Sequence, residues 1–272
     1  MRRPLLSGAV AASSAFVGVI PAGAGPASGA EEFCQAVADA SILLNKAPDE
    51  DASKKKQEKF AANVERLVSQ AEQSAPSELA SQVSTSATAL RELLETGEHP
   101  TEDPAAQAAF TAVHEYVFAN CGYRAVDVTG LEYEFEGIPE TLEAGITIFR
   151  FTNTGAEVHE LELGRLKGDN SAEDVAEGSP DAAEENVKFV AHGVVPPGET
   201  RFVAAKLKAG DYAALCFIPV GTTDPETLED EEEEHGGEDA EPHAAEGMFA
   251  GFTVEKSTSA ASSNSVVGGP VG

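Results

Sequence analysis

The hydrophobic period of the chain changes once, between Gly122 and Ala125. Before that point apolar residues recur every three or four positions, the spacing that puts them on one face of a helix. After it they recur at every second position, the spacing of half-buried strands. A chain that carries the two patterns in separate halves has to build a helical layer first and a β-layer second.

The helical half reads as four segments. Phe33, Val37, Ala40 and Leu44 make the first stripe, and Phe60, Val64, Leu67, Val68 and Ala71 the second. Pro76 stops the second helix, and Ser77 is placed to cap the third, which carries Leu79, Val83, Ala87, Leu90 and Leu94 and stops at Gly97. Asp103-Pro104 opens the fourth, with Phe110, Val113, Val117 and Cys121, and Gly122 closes it. The connections are short, so neighbouring helices should be antiparallel, and residues 31–123 are expected to form a four-helix bundle.

In the second half, Val126 and Val128 and then Leu131, Tyr133 and Phe135 alternate with polar residues, with Gly130 a candidate bulge. From Ile146 to Phe151, Thr147, Phe149 and Phe151 alternate with Ile146, Ile148 and Arg150, a strand with two substantial faces, and Val158–Leu163 turns His159, Leu161 and Leu163 one way and Glu160 and Glu162 the other. Ser171 is a candidate cap for a short helix, and further strands are expected at 187–192, 200–205, 211–217 and 249–254. Seven or so short strands between Gly/Pro turns predict a β-sandwich over residues 124–255. The expected class is therefore α+β.

Charge and leader narrow the setting. The chain has 272 residues and a net charge of −29. Such a chain gains nothing from a nucleic-acid phosphate backbone or an anionic membrane; a basic partner or cations suit it better. Arg2 and Arg3 precede a small apolar run up to Ile20, and small residues up to Ala30 offer cleavage points, so residues 1–30 read as an export signal. Removing them takes two arginines and no acid, moving the charge from −29 to −31. No second long apolar run follows, so the exported protein is expected not to span a membrane. Between Asp224 and Glu241 there are 11 acidic residues and His235, a self-repelling insert over 220–241 that is either a cation-collecting loop or a solvated insertion. The tail 256–272 has the composition of a disordered segment.

An exported chain with three cysteines leaves one over. In an up-down-up-down arrangement the first helix starts where the fourth ends, so Cys34 and Cys121 sit at the same end and a disulfide between them is natural; two separate buried thiols are the alternative. That pairing leaves Cys216 free. His99 and His114 have no Cys or His at ligand spacing and read as satisfied or solvent-facing.

The free thiol belongs to the most informative stretch, Gly210-Asp-Tyr212-Ala-Ala-Leu-Cys216-Phe-Ile-Pro219, continued after the insert by Pro242-His243-Ala-Ala-Glu-Gly247-Met248. Upstream stands Asn153-Thr-Gly155-Ala-Glu-Val-His159. Sulfur ligands with imidazoles suit copper, and a Cys with two His and a weak axial Met is the donor set of blue copper. Over about half the chain, these residues resemble the plastocyanin/azurin-type cupredoxin family, whose pattern is Asn-x-Gly with a following His, Gly-x-Tyr-x-x-x-Cys, then Pro-His and a Met. The one large departure is the distance from Cys216 to His243, with residues 217–242 between them. The resemblance implies a Greek-key sandwich and one type 1 copper, with His159, Cys216 and His243 as equatorial ligands and Met248 as the axial one. His192 and His235 compete with His159 and His243, but Asn153-x-Gly155, Pro242 and Met248 favour the latter pair. It implies an exported one-electron carrier, secreted or periplasmic, whose partner is a redox protein or a copper donor or acceptor. One such domain and no His-x-His pair do not make a multicopper enzyme, and no Ser-His-Asp signature is present, so the chain reads as a non-enzyme. A metal-free interaction module and a copper storage or delivery protein are the other readings.

Overall fold

The computed structural model describes residues 28–49, 51–97, 103–178, 183, 185–228 and 241–257. Nearly all of the expected leader, His99, most of the acidic insert with His235, and the tail from 258 lie outside the described residues. Among the described residues, helices α1 (Ser28–Leu44), α2 (Lys54–Ser74), α3 (Ala80–Thr96) and α4 (Pro104–Asn120) precede eleven strands. No helix among the described residues is long and apolar enough to cross a membrane.

The helix ends follow local chemistry. The Asp103 carboxylate accepts the Ala105 N–H at 2.8 Å, and Pro104 occupies the first turn, where a missing N–H costs nothing. Gly97, at φ +80°, ends α3 by donating its N–H to the Leu93 carbonyl. Cys121 caps α4, and Gly122 follows in the left-handed region at φ +68°. Ser77 does not cap α3. Its hydroxyl donates to Glu78, and it opens a 3-10 turn, Ser77–Leu79, in which Leu79 N–H reaches the Pro76 carbonyl.

Cys34 and Cys121 are joined in a disulfide with their Cα atoms 5.5 Å apart, so the start of α1 is fastened to the end of α4. Phe33, Val37, Val83, Val113 and Val117 form one apolar cluster with Ile148 and Ala204 of the β-region. The helices therefore pack on the outer face of a sheet and share a core with it. Across that seam Arg150 pairs with Glu115 of α4 at 2.8 Å and with Asp127 at 2.6 Å, and its guanidinium lies 4.5 Å from the Phe118 ring centre.

The sheet under the helices has the order β2 (Glu134–Glu136), β1 (Arg124–Leu131), β4 (Gly145–Asn153), β9 (Thr200–Leu207). The second has the order β3 (Thr141–Glu143), β11 (Phe249–Glu255), β10 (Gly210–Leu215), β6 (Glu162–Leu166), β7 (Val187–Ala191). Both are mixed: β1 runs parallel to β4 and β3 parallel to β11, while the other pairs are antiparallel. A small ladder joins β5 (His159–Glu160) to β8 (Val194–Val195). Phe149, Phe151, Leu161, Leu163, Tyr212 and Phe252 fill the space between the sheets. Strand β4 places apolar residues on both faces, with Phe149 and Phe151 toward this core and Ile148 toward the helices.

Gly130 is not a bulge. It continues the ladder between Phe135 and Asn153. A Cβ there would sit 2.9 Å from the Phe151 ring, so the glycine answers to a close approach. The irregularity lies at Leu163/Gly164 instead. Ser171 does form a capping box with Asp174, opening α5 (Ala172–Ala176).

Candidate metal centre

The site is built at one end of the sandwich from two pieces of backbone. The first begins at Asn153, the last residue of β4. Its side chain is fully buried and makes three hydrogen bonds: Oδ1 accepts the Gly155 N–H at 2.9 Å, and Nδ2 donates to the carbonyls of Glu157 and Val195, both at 2.8 Å. One amide thus folds 153–157 into a turn and ties it to β8, whose Val195 pairs with His159. Gly155 is required by proximity, because a Cβ would come within 2.8 Å of His159 Nε2 and collide with the Glu132 carboxylate. Asn153→Ala should therefore destabilise the metal-free protein by about 2–4 kcal/mol, since it leaves the buried Val195 carbonyl without its donor and removes the partners of the Gly155 N–H and the Glu157 carbonyl. Urea unfolding measures this, and a loss under about 1 kcal/mol would show that other contacts hold the turn.

The second piece runs from Cys216 and returns at His243. Residues 216–220 and 241–244 pair as a short ladder: Val220 N–H to Glu241 O at 3.0 Å, His243 N–H to Ile218 O at 2.9 Å, Ala244 N–H to Cys216 O at 2.7 Å. Pro219 faces Pro242 across it. The insert therefore departs from the outer end of a closed ladder, and its length does not separate Cys216 from His243. Beyond His243 the chain turns back on itself, helped by Gly247 at φ +115°, and Met248 N–H reaches the His243 carbonyl at 2.9 Å. The Met248 carbonyl accepts the Cys216 N–H at 3.2 Å, so the thioether residue is fixed by backbone to both others.

These pieces bring His159, Cys216 and His243 together. His159 Nδ1 lies 3.1 Å from His243 Nδ1, and Cys216 Sγ lies 3.4 Å from the same nitrogen. The three donor atoms fall within 4.8 Å of one another. These three residues and Met248 are all 0% exposed. Two weighed residues lie elsewhere: His192 is at the far end of β7, donating its N–H to Asn45, and His114 bonds within the helical layer.

Three residues that no pattern singled out shape the site. Glu157 accepts His243 Nε2–H at 2.9 Å, Gly221 N–H at 2.6 Å and the Tyr133 hydroxyl at 3.2 Å. Burial opposes its charge, but these donors outweigh burial and hold its pKa below the ordinary value. Tyr133 is the one non-glycine at positive φ (62°) among the described residues, and its ring lies 5.0 Å from that of His243. Glu160 accepts Phe217 N–H at 2.7 Å, and burial pushes its pKa up to about 7. Its own N–H donates to Cys216 Sγ at 3.4 Å. Glu157 is invisible to periodicity because it stands in a turn. The only signal was an acid between Gly155 and the candidate ligand His159.

The protonation pattern decides what the cluster suits. Burial lowers the pKa of His243, with Glu157 opposing, so the ring is neutral near pH 7. Its proton sits on Nε2 toward Glu157, leaving a lone pair on Nδ1. Burial and the neighbouring His243 push His159 down to about 4, so it is neutral too. If His159 carries its proton on Nε2, two lone pairs face each other at 3.1 Å. If the proton is on Nδ1, Nε2 is a bare buried acceptor. Nε2 has no partner in either case. A cation among the two Nδ1 atoms and Sγ removes the first conflict and lowers the pKa of the thiol, which burial otherwise raises well above its ordinary value. The residues fit a soft, imidazole- and thiolate-bound metal ion.

No family model matches the chain, and no curated protein matches it. Solved structures do. Dithionite-reduced auracyanin from Roseiflexus castenholzii is 20% identical, covering 48% of this chain and 95% of that one, with a TM-score of 0.31. Auracyanin A, a "blue" copper protein from Chloroflexus aurantiacus, is 20% identical over 49% and 100%, with a TM-score of 0.33. Rusticyanin from Thiobacillus ferrooxidans is 19% identical over 48% and 78%, with a TM-score of 0.29. In its residue pattern, and in the sandwich that carries that pattern, the C-terminal half of this chain resembles the cupredoxin family.

Proposed function

We propose that the protein is an exported type 1 copper protein and a one-electron carrier, with His159, Cys216 and His243 as equatorial ligands and Met248 as the weak axial one. The convergence of two Nδ1 atoms and one Sγ in a fully buried cluster supports this most strongly. Bound copper would supply the redox couple. The chain would supply a donor set already fixed by backbone ladders, so that little has to move when charge changes. Glu157 would hold His243 in the tautomer that offers Nδ1, and the apolar core behind Cys216 would keep water out. The buried donors suit a resident ion better than one handed on, which favours a carrier over a delivery protein.

In this reading the leader is cleaved within residues 1–30 and the protein works outside the cytoplasm. The Cys34–Cys121 disulfide supports that, because such bonds persist in oxidising compartments. Residues 31–123 would be an antiparallel four-helix bundle docked on residues 124–255, a Greek-key domain, and the partner a redox protein.

Met248→Leu tests the carrier role. With the axial donor gone and the site more apolar, the visible thiolate-to-copper band should persist and the potential should rise by on the order of 60 mV, a tenfold preference for the reduced ion. Voltammetry that finds no reversible one-electron couple in wild type would contradict the proposal.

A further inference from the structure

A second chemical feature lies away from the metal centre, where the helices meet β9. A cavity of about 250 Å³ opens there between α1, α2, α3, α4 and the outward face of β9. An engineered apolar cavity of about 150 Å³ holds benzene, so this one has room for about two fused rings and none for a peptide segment. Leu67, Val83, Phe110 and Phe202 are among its walls. No Asp, Glu, Lys or Arg lines it, in a chain with 47 acidic and 18 basic residues. That lining excludes a charged occupant. His114 stacks on Phe202 with ring centres 5.9 Å apart and planes 16° from parallel, so two aromatic rings are among the lining.

The polar groups in this wall are not fully used. His114 Nδ1–H donates to the Phe110 carbonyl at 2.8 Å, so Nε2 is an acceptor. Its neighbour is the Ser41 hydroxyl at 3.1 Å, but that hydroxyl is also 3.0 Å from the Val37 carbonyl. One proton cannot serve both acceptors fully. Ser86 is 6% exposed, lines the same cavity, and its hydroxyl has no partner among the described residues. A native interior seldom leaves such a hydroxyl bare.

We propose that this cavity binds a small, uncharged apolar molecule of about two fused rings carrying one hydroxyl, with Ser86 as its hydrogen-bonding partner. Size follows from the volume, neutrality from the absence of Asp, Glu, Lys and Arg in the lining, and the hydroxyl from the orphaned group.

The test uses the full chain with its disulfide intact and two probes, 2-naphthol and naphthalene. The chain has no Trp, so probe fluorescence is read with little background. Both should bind saturably at one per chain. Ser86→Ala should weaken 2-naphthol by roughly 3–10-fold and leave naphthalene unchanged, the effect of one hydrogen bond. Ala87→Leu, which fills the cavity from α3, should weaken both by at least about tenfold. No saturable binding of either probe up to its solubility limit would show a packing void only and overturn the proposal. Binding that Ala87→Leu leaves intact would place the probes elsewhere and overturn it too. If Ala87→Leu does not fold, Ser86→Ala decides: equal loss of both probes, or loss of neither, removes Ser86 from the site.

Discussion

Replacing Cys216 with serine should abolish the visible charge-transfer band and weaken Cu(II) binding by more than about 100-fold, beyond the range seen when only supporting residues are changed. The reason is chemical rather than structural. A serine hydroxyl is not deprotonated under these conditions and gives no sulfur-to-copper transition. It still fits, because the oxygen is smaller than the sulfur it replaces and the Glu160 N–H that faces Sγ at 3.4 Å keeps an acceptor. Absorption spectra of wild type and Cys216→Ser at equal Cu(II) measure the loss, and circular dichroism confirms the fold. His159→Ala should abolish or severely alter the band while the thiol is still present. Retention of an unchanged band in Cys216→Ser would remove the thiol from the ligand set.

The second large effect is expected from the disulfide. Cys34 and Cys121 are 87 positions apart, and opening so long a loop in the unfolded chain costs roughly 4–5 kcal/mol of stability on the chain-entropy account. Cys34→Ser/Cys121→Ser should lower the urea midpoint accordingly, and the loss should extend to the β-sandwich because the helices share a core with Ile148 and Ala204. A non-reduced digest should show the two peptides linked. A change of less than about 1 kcal/mol would mean that the helical layer is held by its packing alone.

Much of this was legible in the sequence. The period change placed the helix-to-strand boundary, since 3.6- and 2-residue spacings cannot be confused over long runs. The pattern around Asn153 and Cys216 nominated the residues that the fold then brings together. What escaped was non-local. The stripes showed which helix faces are apolar, but a stripe does not say whether it meets another helix or a sheet, and here Phe33, Val37 and Val113 meet both. Ser77 carried a capping signature, yet Leu79 N–H bonds to the Pro76 carbonyl and moved the helix start. Gly130 looked like a bulge because a glycine in a strand has two causes, and the one operating is the Phe151 ring 21 positions on. Periodicity could not assign the roles of Glu157 and Tyr133, because those roles exist only once the turn after β4 has closed over His243.

Whether the chain holds one copper through the Cys216 thiolate is decided by one titration. Cu(II) is added to the full chain with the Cys34–Cys121 disulfide intact and Cys216 free, and the visible spectrum is followed. An intense thiolate-to-copper band should grow linearly and saturate at one copper per chain. Absence of the band, or copper bound with the same spectrum in wild type and Cys216→Ser, would contradict it.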